Sequence, residues 1–206
     1  PILSGLVGSE MCIRDSLQET VGANATIIEA DVRELAWSDV VSTPGWNLVA
    51  NLPYNIATSL VLTVLDEVPN IDRLLVMVQQ EAGERKAASV GDPAYGAVSV
   101  RVALRGKAKI VGHVAPSVFF PKPRVNSVLV AIQRSPNKVD ANIEIELIEL
   151  LRIAFTHRRK MLRKSLKGRV DQGTLERAKI SPTSRPEELD LHQWIALAQL
   201  SSMVKP

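Results

Sequence analysis

Hydrophobic positions in this chain recur with two periods, and the change falls near residue 140. Before it, short apolar, β-branched runs at residues 25–28, 48–50, 74–78, 110–114 and 125–132 predict strands. Amphipathic stretches at residues 57–65, 81–88 and 97–104 lie between several of them and predict helices. The alternation predicts an α/β layer structure with a largely parallel sheet, the last two runs being suited to an antiparallel pair at its edge. From Asn142 onward the spacing is helical: Ile143, Leu147, Ile148, Leu151 and Phe155 recur every three to four residues. Residues 159–167 and 186–200 also predict helices, with Pro186 suited to a first helical position. Ser135, Pro136, Asn137 and Lys138 read as a linker. The expected division is therefore a sheet domain over residues 1–138 and a small all-helical domain over residues 139–206. No internal repeat or low-complexity tract is visible.

Composition sets the class. The 206 residues are 46% hydrophobic and 23% charged, enough apolar material for one good core and a smaller second unit. No run approaches the roughly 18 uninterrupted apolar residues of a membrane span, and the N-terminus lacks the pattern of a secretory signal. A cytoplasmic monomer without membrane association is expected. The single cysteine, Cys12, excludes an internal disulfide framework and any multi-cysteine metal site. His113, His157 and His192 are scattered without metal-ligand spacing, so no metal is expected.

The formal net charge of +3 conceals an asymmetry. Residues 1–92 hold 13 acids and 5 bases, whereas residues 93–206 hold 9 acids and 20 bases. Between Asp92 and Asp140 there is no acid, yet Arg101, Arg105, Lys107, Lys109, Lys122, Arg124, Arg134 and Lys138 fall there. A second acid-free run holds Arg152, Arg158, Arg159, Lys160, Arg163, Lys164, Lys167 and Arg169. Two such runs suit a polyanion, because each phosphate neutralised releases condensed counterion. A solvated basic surface is the plainer alternative.

Near the N-terminus, Gly5, Gly8 and Ser9 lead into residues 10–16 without a recognisable strand before them. A nucleotide-binding glycine loop needs a buried strand to aim it, and too few residues precede Gly5 to predict one. The string from Ser4 to Ser16 resembles translated sequencing-adapter read-through, which sets residues 1–16 apart from native sequence and leaves Cys12 without a role.

The most informative tetrapeptide is Asn51-Leu52-Pro53-Tyr54, directly after the apolar run 48–50. In an open parallel sheet ligands bind beyond the carboxyl ends of the strands, so Asn51 is expected at the crevice. Pro53 lacks a backbone donor and biases Leu52 towards extended backbone, holding the turn in one shape. Such a turn presents the Asn51 amide oxygen and the Leu52 carbonyl as convergent acceptors. Two acceptors holding the hydrogens of an exocyclic aromatic amine localise its lone pair for in-line attack on a methyl sulfonium. Tyr54 offers a flat face for an extruded base, worth roughly 1–3 kcal/mol in comparable single-strand contacts. A plain strand-ending turn with Asn51 capping its own backbone is the alternative.

The tetrapeptide resembles the catalytic motif of amino-methyltransferases, and its Asn-Leu-Pro-Tyr form resembles the ribosomal RNA adenine dimethyltransferases. The likeness runs from about Thr26 to the end of the chain. It includes Gln79-Gln80-Glu81-Ala82-Gly83-Glu84-Arg85, then Ala94 to Val100, then the segment from Pro116 to Ser127, then Ala154 to Leu166. The nearest type is the bacterial enzyme that dimethylates two adjacent adenines near the 3′ end of small-subunit ribosomal RNA. The resemblance implies a Rossmann-like class I methyltransferase sheet, incomplete at its N-terminus, followed by a small helical RNA-binding domain. S-adenosyl-L-methionine is the implied methyl donor and the 30S subunit the implied partner.

By the same resemblance, Asn51 and the Leu52 carbonyl hold the target amine, Pro53 shapes the turn, Tyr54 stacks on the adenine and Phe119 closes its other face. Asp31 matches the acid that accepts a hydrogen bond from the cofactor's adenine, and Asn51 also borders the cofactor. Lys122 and Arg124 beside Phe119, with Arg158, Arg159, Lys160, Arg163 and Lys164 in the helical part, are the implied RNA contacts. Read as one helix, that block puts Arg159 with Arg163 and Lys160 with Lys164 on shared faces. Taken alone, Asp31 also reads as a turn or helix cap, Phe119 as core, and the basic block as an exposed helix. Tyr95 and Gly96 read as a structural turn that places the next helix.

The family's glycine-rich loop after the first strand and the ribose-binding acid after the second have no recognisable counterpart upstream of Asp31. Weak or absent cofactor binding by this chain is therefore expected. The rival functions are a non-enzymatic ribosome-assembly factor that binds ribosomal RNA, a large-subunit RNA adenine methyltransferase of the drug-resistance type, and an amino-methyltransferase of DNA adenine or protein glutamine.

Overall fold

A computed structural model describes residues 2–5, 19–21, 25–136 and 139–203. Among these described residues the sheet has five strands in the order β1-β2-β3-β5-β4: β1 (Ile2–Gly5), β2 (Trp46–Asn51), β3 (Ile71–Gln79), β4 (Gly106–Val114) and β5 (Ser127–Arg134). Strands β1, β2 and β3 are parallel; β5 lies antiparallel between β3 and β4. All the sequence-predicted strands from residue 48 onward form. The run at 25–28 does not: its backbone is irregular, and Ile28 is half exposed. Conversely, β1 pairs Ile2 with Asn47 and Gly5 with Ala50, so β2 is not an edge. A four-residue strand is stabilised by its ladder, and the partner's register is not visible in a local pattern.

Helices α2 (Ala57–Glu67), α3 (Gln80–Ala87) and α4 (Ala97–Arg105) cover one face of the sheet, while a short α1 (Trp37–Val40) precedes β2. Inward residues Leu48, Ala50, Leu74, Val76, Val78, Val128, Val130 and Ile132 meet Leu60, Val61, Val64 and Leu65 of α2. The opposite face carries Val49, Leu75 and Ala131 with Arg73, Lys107 and Lys109, and no described helix packs on it. Helix α3 lies very close to the sheet, because a Cβ at Gly83 would fall 2.2 Å from Val128 Cγ2. That contact explains the glycine within the Gln79 to Arg85 block.

Beyond β5 the chain is helical: α5 (Ala141–Thr156), α6 (Leu162–Ser165), α7 (Gln172–Arg177) and α8 (Leu191–Ser202). Aspartates cap three of these, Asp140 accepting from Asn142 N–H, Asp171 from Thr174 N–H and Asp190 from Gln193 N–H. The helical core of Leu147, Leu150, Leu151, Leu162, Leu166, Trp194 and Leu197 also takes in Tyr95, Val100 and Leu104. Helix α4 thus serves both cores, giving Val102 to the sheet side and Val100 and Leu104 to the helical side. The Tyr95 hydroxyl donates to the Leu189 carbonyl at 2.7 Å, and burial pushes its pKa up to about 12.

The predicted helix over residues 159–167 is corrected. Helix α5 ends at Thr156, whose hydroxyl donates to the Arg152 carbonyl at 2.6 Å, and residues 157–160 form a turn. Helix formation resumes only at Leu162, whose N–H donates to the Ser184 carbonyl at 2.8 Å. Burying Leu162 and Leu166 decides the path, so Arg159 and Arg163 do not lie on one continuous helix. The predicted helix at 186–200 is likewise divided, with one turn of 3-10 helix at Pro186–Glu188 and then α8 beginning after Asp190.

Candidate active site

The carboxyl ends of β2 and β3 and the amino end of β5 meet at one edge of the sheet. There Gln79 pairs with Ser127, and Ser127 pairs with Val114 at the end of β4. Asn51 is the last residue of β2. Leu52 buries its side chain and donates its N–H to the Met77 carbonyl at 3.3 Å. The Pro53 carbonyl then accepts from Ile56 N–H at 3.1 Å and Ala57 N–H at 3.0 Å, so the turn winds directly into α2. Strand, proline and helix start together fix the tetrapeptide's backbone.

This backbone leaves two acceptors open. The exposed Asn51 carboxamide and the Leu52 carbonyl have no hydrogen-bond partner among the described residues. Tyr54 is half-buried, and its hydroxyl shares a 2.8 Å hydrogen bond with Ser127 Oγ, whose residue is fully buried. Ser127 is the last residue of the Pro116 to Ser127 block. The contact spans 73 residues, so no local pattern reveals it.

Residues 115–126 join β4 to β5 across this same edge, and the Asn126 carbonyl accepts from Gln80 N–H at 3.0 Å. Phe119 is half-buried in this loop; Lys122 and Arg124 are exposed. The topology therefore gathers Asn51, Leu52, Pro53, Tyr54, Phe119, Lys122 and Arg124 at the strand ends. Asp31 lies in an exposed turn where Arg33 Nε donates to its two oxygens at 3.0 and 3.1 Å. The side-chain hydrogen bonds from Arg33 hold the Asp31 carboxyl at about 2.

Arg159, Lys160, Arg163 and Lys164 are exposed on the turn after α5 and on α6. Arg158 is partly engaged, donating to the Pro93 carbonyl at 3.0 Å and lying 3.7 Å from Glu187. Four other arginines of the acid-free runs serve the fold. Arg101 and Arg105 pair with Asp66, Arg105 also pairs with Glu144, and Arg169 pairs with the buried Glu146. Arg134 donates to the carbonyls of Val64, Leu65, Val68 and Ile71, capping the end of α2.

Sequence reasoning also passed over Lys86. It is 2% exposed, and its ammonium donates to Thr58 Oγ1 at 2.9 Å and the Ala82 carbonyl at 3.2 Å. Burial, with a smaller contribution from Arg85, pushes its pKa down to about 8. No cluster of metal-ligating side chains occurs among the described residues.

The architecture is that of the Rossmann-like RNA adenine methyltransferases. A dimethyladenosine transferase from Plasmodium falciparum superposes with a TM-score of 0.76 at 23% identity, over 95% of this chain and 79% of that one. The 23S rRNA methyltransferase ErmE gives 0.68 at 18% identity, over 98% and 81%. At those identities the likeness shows the fold.

Sequence similarity narrows the class. The family model for ribosomal RNA adenine dimethylase matches residues 11–202, and the chain belongs to that family. The ribosomal RNA small subunit methyltransferase A of Acidothermus cellulolyticus is 43% identical over 157 residues, covering 74% of this chain and 54% of that protein. Its namesake from Mycolicibacterium gilvum is 38% identical over 185 residues, covering 86% and 59%. The chain thus spans somewhat more than half the length of these relatives.

Proposed function

We propose that this chain carries the adenine-binding side of an adenosylmethionine-dependent ribosomal RNA adenine N6,N6-dimethyltransferase. The proposed substrate is the pair of adjacent adenines near the 3′ end of small-subunit RNA. The observation that supports this most is the pair of open acceptors, the Asn51 carboxamide and the Leu52 carbonyl, on a backbone fixed by β2, Pro53 and α2. An adenine turned out of its strand would place its N6 hydrogens on those two oxygens. This withdraws the nitrogen lone pair from the ring and directs it outward. No base is required before attack, because the amine becomes acidic only as the new bond forms. Tyr54, its ring oriented by Ser127, would stack on one face of the adenine and Phe119 on the other. Lys122, Arg124, Arg159, Lys160, Arg163 and Lys164 would hold flanking phosphates of 30S RNA, with the helical part as the RNA-binding unit.

The donor side is different. Family membership implies S-adenosyl-L-methionine, which supplies an electrophilic methyl group. The described residues offer little to hold it, since Asp31 lies in an exposed turn where its carboxylate pairs with Arg33. This chain is expected to bind it weakly. Because the chain spans only part of its relatives, labelled methyl transfer to unmethylated small subunits is the test. It should compare this chain with one carrying a glycine-rich first strand and loop ahead of residue 25. Transfer by the extended chain, lost about 100-fold or more in Asn51→Ala with RNA binding retained, is expected. Transfer to large subunits instead would reassign the substrate. RNA binding with no transfer by either chain would favour an assembly factor.

A further inference from the structure

The loop between β4 and β5 carries a side chain that no packing contact explains. Phe120 is fully exposed, Val118 is 68% exposed and Val125 is 42% exposed. Single exposed apolar residues are ordinary, but three in a loop of twelve residues form a patch. Lys122 and Arg124 are interleaved with that patch, and both are exposed, unlike Arg105 of the same acid-free run, which pairs with Asp66 and Glu144. The combination of aromatic surface and unopposed positive charge suits a single-stranded nucleic acid.

Backbone geometry separates the two phenylalanines. A turn of 3-10 helix at Pro116–Val118 is closed by Phe119 N–H donating to the Pro116 carbonyl at 3.2 Å, and Phe119 itself is extended, at φ −108° and ψ 148°. Side chains of consecutive residues in extended backbone point to opposite sides, so Phe119 turns inward while Phe120 faces solvent. Pro121 and Pro123 stiffen the segment that follows. Both loop ends are fixed at the site edge, where Val114 pairs with Ser127 and Ser127 holds Tyr54.

We propose that Phe120 is a stacking wedge for RNA, packing on the base next to the target adenine and filling the gap that opens when the target turns out. This rests on the reading of the chain as an RNA adenine methyltransferase. Removing a base from its stack leaves a neighbour with an uncovered face, and a ring at the loop tip covers it. Phe119 contacts the extruded base, Phe120 the strand left behind, and Lys122 and Arg124 the phosphates between them. An aromatic-base contact of this kind is worth about five- to hundredfold in affinity.

The test uses the full chain and a short RNA hairpin whose loop holds two adjacent unpaired adenines, with a fully paired duplex as control. Phe120→Ala is expected to weaken hairpin binding about five- to fiftyfold, with an unchanged melting temperature and an unchanged salt slope, because that slope counts phosphate contacts. Phe120→Trp is expected to restore binding, and its added tryptophan emission to be quenched by the hairpin but not by the duplex. If the wild-type chain binds the hairpin and Phe120→Ala binds equally well, or the Phe120→Trp emission ignores the hairpin, the wedge is overturned while the methyltransferase reading stands. If Phe120→Ala instead abolishes a protein contact and leaves RNA binding intact, the patch is a protein-docking site and the wedge is likewise overturned. Absence of salt-dependent RNA binding by the wild-type chain would overturn the functional reading, and the wedge with it.

Discussion

Two sets of cations come from the same acid-free stretches and end in opposite environments. Arg101, Arg105 and Arg134 turn inward, and Arg169 reaches from the surface to the buried Glu146; all four join helices to one another or to the sheet. Lys122, Arg124, Arg159, Lys160, Arg163 and Lys164 remain exposed on a loop, a turn and a short helix. In sequence the two sets are alike, since both are drawn from the same acid-free runs, Arg169 standing at the end of one. The acids that neutralise the first set, Asp66, Glu144 and Glu146, come from α2 and α5. A local excess of positive charge therefore does not by itself identify a polyanion-binding surface; it overstates that surface by the number of arginines the fold consumes.

The largest expected effect lies in the inward set. Arg105→Met should destabilise the protein by about 2–4 kcal/mol in denaturant unfolding, because Asp66 and Glu144 each lose a partly buried partner. It should leave the salt dependence of RNA binding unaltered. A change in salt slope would show that Arg105 belongs to both sets.

Lys86 is a third kind of cation, buried without a carboxylate partner among the described residues. Its folded-state pKa, about 8, lies below its ordinary value of 10.5, so folding disfavours the charged form. The resulting destabilisation is fully present below pH 8 and is relieved as pH rises from 8 towards 10.5. Lys86→Met should accordingly raise stability by about 1–3 kcal/mol at pH 7. The gain should shrink when the two proteins are compared at pH 10. A constant gain would mean that packing, not charge, is responsible.

A smaller loss is expected at the tether of the candidate stacking residue. Ser127→Ala removes the partner of the Tyr54 hydroxyl and should cost about 1 kcal/mol of stability. In the extended chain it should slow methyl transfer less than Tyr54→Ala does. The smallest effect on stability belongs to the outward set. The double variant Arg163→Gln, Lys164→Gln should change unfolding by less than about 0.5 kcal/mol. Its RNA-binding salt slope should fall by about 0.7–0.9 per cation lost. Loss of stability without a change in slope would erase the contrast between the two sets.

Much of the fold was legible because it rests on local pattern. The alternation along 74–78 and 125–132, and the helical spacing from Ile143 to Phe155, reflect burial on one face, which sequence records directly. Asn51-Leu52-Pro53-Tyr54 was legible for a similar reason: a strand end, a proline and a helix start dictate one backbone path. Three features were not. The pairing of Ile2–Gly5 with β2 depends on a partner more than 40 residues away. The break in the 159–167 segment depends on where Leu162 and Leu166 find a core, and the tether of Tyr54 depends on β5 being laid between β3 and β4.

Sequence alone was enough for the strands from residue 48 to 134, the turn that carries Asn51 and the supply of cations, because each follows from neighbours within a few residues; it misplaced a strand at 25–28 and a continuous helix at 159–167. Tertiary structure decided which arginines face inward, which phenylalanine faces solvent, and that Ser127 holds Tyr54. Those outcomes depend on which distant segments share a surface, and they follow from burying the apolar face of the sheet and the helical core together.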